Sequence, residues 1–246
     1  MVTPHHVSRA RPRSYRENPV IESDPYAELR TAFTAAVSHE LRTPLARILA
    51  LLETAQLPGA DRDALIEQAR EEVEATRQLV DDVLFLSELE TGREVVALGS
   101  TEAGPVLEQL AEHVRERAAR ADVNVRFEVE EGIRLPLRPR MLRMVAENLV
   151  DNSLRYAGPR ATFTLSVRHE GDRVILRAID NGVGVSADEL PRLFERFYRS
   201  DRARTSRGTG LGLAIVKHVV TAAGGTVEAI RPESGGLEIR AQLRAP

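Results

Sequence analysis

The sequence predicts an α+β chain in two parts, a two-helix hairpin followed by a mixed domain with a largely antiparallel sheet, and three observations carry that prediction. Residues 25–92 hold two apolar seams at helical spacing. From about residue 99 helical and strand-like patterns intermix, with glycine-bearing turns between them. The composition, 42% hydrophobic and 29% charged over 246 residues, is that of a globular chain long enough for two modest cores.

Residues 1–24 are polar, carry three prolines and show no period, so they read as a flexible arm. A helix is expected over residues 25–56, with Leu41, Leu45, Ile48 and Leu52 forming a seam at 4,3,4 spacing. Leu57, Pro58, Gly59 and Ala60 turn the chain, and Asp61 caps the next helix. That helix places Ile66, Ala69, Val73, Thr76, Val80 and Val83 at 3,4,3,4,3 spacing and ends near Thr91 and Gly92. One antiparallel hairpin cannot cover both seams, so two copies joining in a four-helix bundle, a homodimer, is the expected solution. The hairpin unit is expected to span residues 25–95 and the second unit residues 96–246. Within the second unit, helices are expected over 101–119, 139–157 and 211–223, and strands over 124–130, 161–169, 173–179, 226–231 and 236–243. Glu170, Gly171 and Asp172 supply a hairpin turn between two of the strands. A glycine-bearing segment and a short helix lead into the Arg202 to Arg207 run, which reads as a mobile loop.

Charge and composition narrow the function. A net charge of -3 gives no broad basic footprint, which argues against nucleic acid as the main partner. With no cysteine there is neither disulfide nor thiolate metal site, in keeping with a reducing cytoplasm. No stretch reaches the roughly 18 apolar residues of a membrane span, and the start lacks a signal-peptide core, so no membrane contact is expected within this chain.

Four segments carry chemistry. In Val37-Ser38-His39-Glu40-Leu41-Arg42-Thr43-Pro44-Leu45, His39 lies two residues, about 200°, before Leu41 on a helix and points away from the seam. Thr43 lies one turn on along the same face, and Pro44, lacking an N–H for the carbonyl of Glu40, predicts a kink beside the histidine. Asn148 and Asn152, at i and i+4, present two amide oxygens on one helix face; neutral oxygens suit Mg2+ beside phosphates that already carry the charge. Asp180 ends an apolar strand ahead of Gly182 and Gly184, and a buried carboxylate accepts hydrogen bonds only, which selects an amino group such as that of adenine. Gly208-Thr209-Gly210-Leu211-Gly212 opens a helix whose free N–H groups suit a polyphosphate. It is neither a P-loop, since no Lys followed by Ser or Thr closes it, nor a dinucleotide fingerprint, since no parallel βαβ unit surrounds it.

Together and in this order the segments resemble the boxes of a sensor histidine kinase of two-component signalling: HELRTPL the H box, Asn148 to Tyr156 the N box, DNGVGV the G1 box, Leu193 to Tyr198 the F box and GTGLGL the G2 box. The resemblance covers roughly residues 25–246. It implies an α/β sandwich that binds ATP, of the kind shared with type II topoisomerases and a chaperone class. In that family such a domain phosphorylates a histidine on a dimeric hairpin, and the phosphoryl group passes to an aspartate of a response regulator. Carried onto this chain, it implies His39 as phosphoacceptor, with Glu40 taking the Nδ1 proton. Asn152 then ligates Mg2+ with help from Asn148, Asp180 binds the adenine amino group and Tyr156 lines the base pocket. Gly182, Gly184, Gly208, Thr209, Gly210, Leu211 and Gly212 shape the site and its lid, Arg199 reaches the phosphates, and Phe194 and Phe197 anchor the lid. Arg155 stands where many members have lysine, and implies a phosphate contact. Thr43 matches the residue that positions water for dephosphorylating the regulator, which implies a second, phosphatase activity. Arg138-Pro139-Arg140 and Ser153 depart from the common pattern without removing a ligand. His5, His6, His113, His169 and His218 sit among no nucleophile or metal partners and read as surface residues. Two other readings compete. A nucleotide-binding scaffold without transfer is disfavoured by the presence of His39, Glu40 and Asn152. A topoisomerase-like or chaperone-like ATPase carries a water-activating glutamate where this chain has Asn148.

Overall fold

The computed structural model describes residues 25–90, 99–200 and 208–246; the expected arm, the helix end at Thr91 and Gly92 and the Arg202 to Arg207 run lie outside the described residues. Two long helices, α1 (Pro25–Thr54) and α2 (Arg62–Glu90), form the antiparallel hairpin, and α1 continues through Pro44. The expected cap is present, since the Asp61 carboxylate accepts from the Ala64 N–H at 3.1 Å.

The seams differ from the expectation in an informative way. On α1 the half-buried residues Val37, Leu41, Pro44, Ile48 and Leu51 form an inner stripe, while Leu45, Leu49 and Leu52 lie on an exposed flank. On α2 the inner stripe runs through Leu65, Ala69, Glu72, Thr76, Leu79, Val83 and Leu86, and Ile66, Val73, Val80 and Leu84 are exposed. Each expected seam therefore straddles two faces. A helix that touches only one neighbour needs one narrow stripe, and the second stripe, 39% to 58% exposed, is what one chain alone leaves uncovered.

The second unit begins with β1 (Thr101–Glu102), then α3 (Ala103–Ala121), β2 (Asn124–Val129), β3 (Arg134–Leu135), α4 (Pro139–Tyr156), β4 (Thr162–Glu170) and β5 (Arg173–Asp180). A single turn of 3-10 helix (Leu190–Arg192), α5 (Gly212–Ala222), β6 (Thr226–Ile230) and β7 (Leu237–Arg244) follow. The main sheet has the order β2-β4-β5-β7-β6. All its pairs are antiparallel except β2 with β4, whose parallel pairing needs a crossover, and α4 supplies it. Glu170 opposite Arg173 leaves Gly171 and Asp172 as a two-residue turn, with Gly171 at φ +65°. Strand alternation turns Phe163, Leu165, Val167, Leu176, Ile239 and Ala241 toward α3, α4 and α5, whose Leu107, Leu110, Leu142, Val145, Leu149, Ile215 and Val219 complete one buried core. The other sheet face is polar, with buried Glu238 held by Arg177 at 2.7 Å and by the Arg240 Nε at 2.9 Å.

Two-layer packing leaves one face of α4 outside the core. Met141, Leu142, Val145, Ala146, Leu149 and Val150 are buried, so Asn148, Asn152 and Arg155 are carried on the opposite side of the helix. The hairpin also packs on this unit: Leu79, Phe85 and Leu86 of α2 join the core, and the Arg140 guanidinium lies 5.9 Å from the centre of the Phe85 ring. Among the described residues no helix is long and apolar enough to cross a membrane.

Candidate functional site

A cavity of about 960 Å³ opens between α4, the segment after β5, residues 193–200 and the loop that leads into α5. Asn148, Asn152, Arg155, Tyr156, Asp180, Gly184, Arg199, Gly208, Thr209, Gly210 and Gly212 all line it. Gly182 and Leu211 do not: Gly182 packs its main chain against Ala157, and Leu211 is fully buried beneath the loop. His39, Glu40 and Thr43 stand apart on α1, none of whose described residues lines the cavity. His39 and Thr43 are exposed, as the helical spacing requires, and Glu40 is half-buried.

Asp180 closes one end of the cavity. It is buried, and its carboxylate accepts from the Gly182 N–H at 2.9 Å and from the Leu237 N–H. Burial pushes its pKa up and outweighs these two donors, yet they fix the carboxylate's orientation and leave acceptor capacity toward the cavity. This end is built from main chain. A Cβ at Gly182 would lie 2.3 Å from the Ala157 carbonyl oxygen, and one at Gly236 would lie 1.9 Å from the Asp180 carbonyl oxygen.

The other end is built from side chains. The Asn148 amide donates to the Met144 carbonyl at 2.9 Å, one turn back, so its oxygen is free to face forward, where a Cβ on Gly212 would lie 2.6 Å from it. Arg155 lies 4.0 Å from Asp151, which Arg117 grips more closely at 2.8 Å, so the Arg155 guanidinium is only loosely held at the cavity. The Phe197 N–H donates to the Gly210 carbonyl at 3.0 Å, with Phe197 in the left-handed region at φ +60°. Arg192 stacks 4.2 Å from the Tyr198 ring, and Lys217 lies 6.0 Å from the Phe194 ring. Phe194 and Phe197 thus tie the stretch after the 3-10 turn to α5 and its loop.

A buried acceptor at one end, two amides on one helix face, a loosely held arginine and a helix N-terminus across from them make a set that fits a nucleotide with its phosphates toward α4 and α5. The amide donor set also fits Mg2+ already carried by those phosphates.

Residues 29–92 match the family described as His Kinase A (phospho-acceptor) domain, and residues 138–246 match the one described as Histidine kinase-, DNA gyrase B-, and HSP90-like ATPase. The chain belongs to the histidine kinases. Over 220 residues it is 34% identical to the signal transduction histidine-protein kinase BaeS of Escherichia coli (strain K12), a match that covers 88% of this chain and 47% of that protein. The structure of the histidine kinase AdeS of Acinetobacter baumannii superposes with a TM-score of 0.70 at 22% identity over 84% of this chain and 98% of that one. That of full-length ShkA in complex with AMPPNP superposes with a TM-score of 0.62 at 27% identity over 86% of this chain and 46% of that one. The chain spans about half the length of the curated relatives it matches.

Sequence reasoning missed one wall of this cavity. Ala75, Gln78 and Asp82 of α2 line it opposite α4, and Arg117, Glu147 and Asp151 extend the lining. Asp82 is 7% exposed and accepts from the Gln78 amide at 2.9 Å. Burial drives its pKa up to about 6, against the pull of Gln78 and Arg155. Glu147 is raised by burial in the same way, with Arg143 opposing. The i,i+4 pair Gln78 and Asp82 was the only signal in the sequence, and such pairs are common on solvated helix faces.

Proposed function

We propose that this chain is the catalytic core of a two-component sensor kinase, with residues 25–95 as the dimerising phosphoacceptor hairpin and residues 96–246 as the ATP-binding unit. ATP is the substrate. Asp180 accepts from the adenine amino group, Tyr156 flanks the base, and Arg155, Arg199 and the N–H groups of residues 208–212 receive the phosphates. Asn152, with Asn148, would hold Mg2+, which supplies charge neutralisation of the phosphate chain. His39 attacks as the neutral ring: Nε2 forms the bond to the γ-phosphorus, the bond from that phosphorus to the bridging oxygen breaks, and ADP leaves with the electron pair. The Nδ1 proton passes to Glu40, so no cationic phosphoimidazole builds up. An aspartate of a response regulator then attacks the phosphorus, and the imidazole departs and regains its proton. Thr43, exposed one turn beyond His39, would orient water for dephosphorylating the regulator.

The observation that carries this reading is the gathering of Asn148, Asn152, Arg155, Tyr156 and Asp180 into one cavity from separate stretches of sequence, with an exposed histidine on a different module. The AMPPNP bound in ShkA supports a nucleotide in the cavity. The exposed stripe of Leu45, Leu49, Leu52, Ile66, Val73, Val80 and Leu84 supports a second copy covering it. A chain without cysteine that consumes ATP suits the cytoplasm.

Incubation with γ-labelled ATP and Mg2+ tests the proposal. The protein should acquire an acid-labile, alkali-stable label that His39→Gln abolishes. Wild-type levels of label in that variant would move the acceptor elsewhere.

A further inference from the structure

A carboxylate in a phosphate-binding cavity is an opponent of its ligand. We propose that Asp82 is a positioning residue that couples nucleotide occupancy to the seating of the hairpin: brought into the cavity by α2, it repels the phosphate chain, so that a filled cavity drives α2 off its wall. This rests on the nucleotide reading above and adds the regulation of that same site.

Asp82 is buried, lines the cavity with Gln78 and Ala75, and faces Arg155 and Asp151 of α4, with Asp81 beside it on its own helix and Arg117 of α3 on the same lining. Its hydrogen bond comes from the neutral Gln78 amide. The arginines nearest the wall are already engaged: Arg117 holds Asp151 at 2.8 Å, and Arg155 shares that carboxylate at 4.0 Å. Among the described residues Arg155, loosely held by Asp151, is the cation that offsets Asp82, and it is a group a phosphate would recruit. A phosphate chain arriving at Arg155 removes that offset and adds like charge beside a carboxylate that is already buried, so the cost falls on the contact between α2 and the ATP-binding unit. Coupling of this kind is reciprocal: seating of α2 weakens the phosphates' hold to the extent that the phosphates weaken seating. No described residue of α1 lines the cavity, so on this proposal the chain's own His39 is outside it while α2 is seated, and release of α2 comes before transfer from that cavity to it.

The test uses the full chain with Mg2+ and a ligand series of adenosine, ADP and ATP. Asp82→Asn keeps the shape and the acceptor for Gln78 but removes the charge. It should leave the adenosine Kd within about twofold, tighten ADP, tighten ATP about tenfold, and slow the arrival of label at His39 at saturating ATP because α2 stays seated. Gln78→Glu adds a charge on the same wall and should weaken ATP while sparing adenosine. Adenosine and ATP shifting together would reveal a packing effect and overturn the coupling, as would ATP affinity that ignores both substitutions. If the affinity pattern appears but neither wild type nor variant ever carries label, the phosphotransfer reading alone falls.

Discussion

Substituting Gly182 by alanine tests how the nucleotide end of the cavity is built. The added Cβ would lie 2.3 Å from the Ala157 oxygen, 2.5 Å from its Cα and 2.7 Å from its carbonyl carbon, where ordinary contact begins at 3.4 Å. All three neighbours are main chain, so no rotamer change relieves the overlap, and the segment after β5 must back away from the end of α4 by about 1 Å. Two hydrogen bonds cross or adjoin that contact, from Val183 N–H to the Ala157 oxygen at 3.2 Å and from Gly182 N–H to the Asp180 carboxylate at 2.9 Å. Overpacking costs about 1–3 kcal/mol and a lost hydrogen bond about 1 kcal/mol, so Gly182→Ala should destabilise the chain by about 2–4 kcal/mol and weaken ATP tenfold or more as Asp180 loses its alignment. Urea unfolding measures the first and nucleotide titration the second. Gly104→Ala is the control: nothing lies within 4 Å of its Cβ, and alanine is the better helix former, so no destabilisation follows. A Gly182→Ala chain within about 0.5 kcal/mol of wild type and with unchanged ATP affinity would refute the close-packing argument.

Two further perturbations probe the sheet and the hairpin. Glu238 is buried and its pKa is held below the ordinary 4.5, chiefly by its hydrogen bond from Arg177, so the stability it adds is present above about pH 4.5 and is lost as pH falls through the lowered value. Glu238→Gln should therefore cost about 1–3 kcal/mol at pH 7, with the difference from wild type shrinking toward zero in strong acid; an equal cost at pH 7 and pH 3, read by urea unfolding, would mean that the charge is not what the arginines hold. Leu49 is 58% exposed in the single chain, so if two copies meet there as proposed, the wild type should sediment as a dimer and Leu49→Glu as a folded monomer; a wild type that is monomeric, or a variant that remains dimeric, would overturn that interface.

Much of this molecule was legible in its sequence because the signals were periodic or chemically unusual. The i,i+4 spacing of Asn148 and Asn152 already put both amides on one face, and the core residues of α4 confirm which face that is. His39 was placed off the seam by a rotation of two residues, and it is exposed. What stayed hidden was either too short or too long-range. The β1 and β3 strands are two residues each and have no period to detect. The parallel pairing of β2 with β4 depends on which strand the α4 crossover delivers, which no local pattern encodes. The hairpin spacing predicts one stripe per helix, whereas Leu45, Val73 and Val80 belong to a second stripe that only burial distinguishes from the first. Asp82 was missed for the same reason: its part in the cavity comes from a third face of α2, set by how the two units pack.

The contrast between the two ends of the cavity bears on inhibition. A small molecule seated against Asp180 would meet walls of peptide backbone at Ala157, Gly182 and Gly236, and a point mutation can alter such walls only by adding atoms where the chain itself already stands. Escape from a compound anchored there would carry a folding penalty, whereas one that relies on Arg155 or Asn152 could be evaded by exchanging a single side chain.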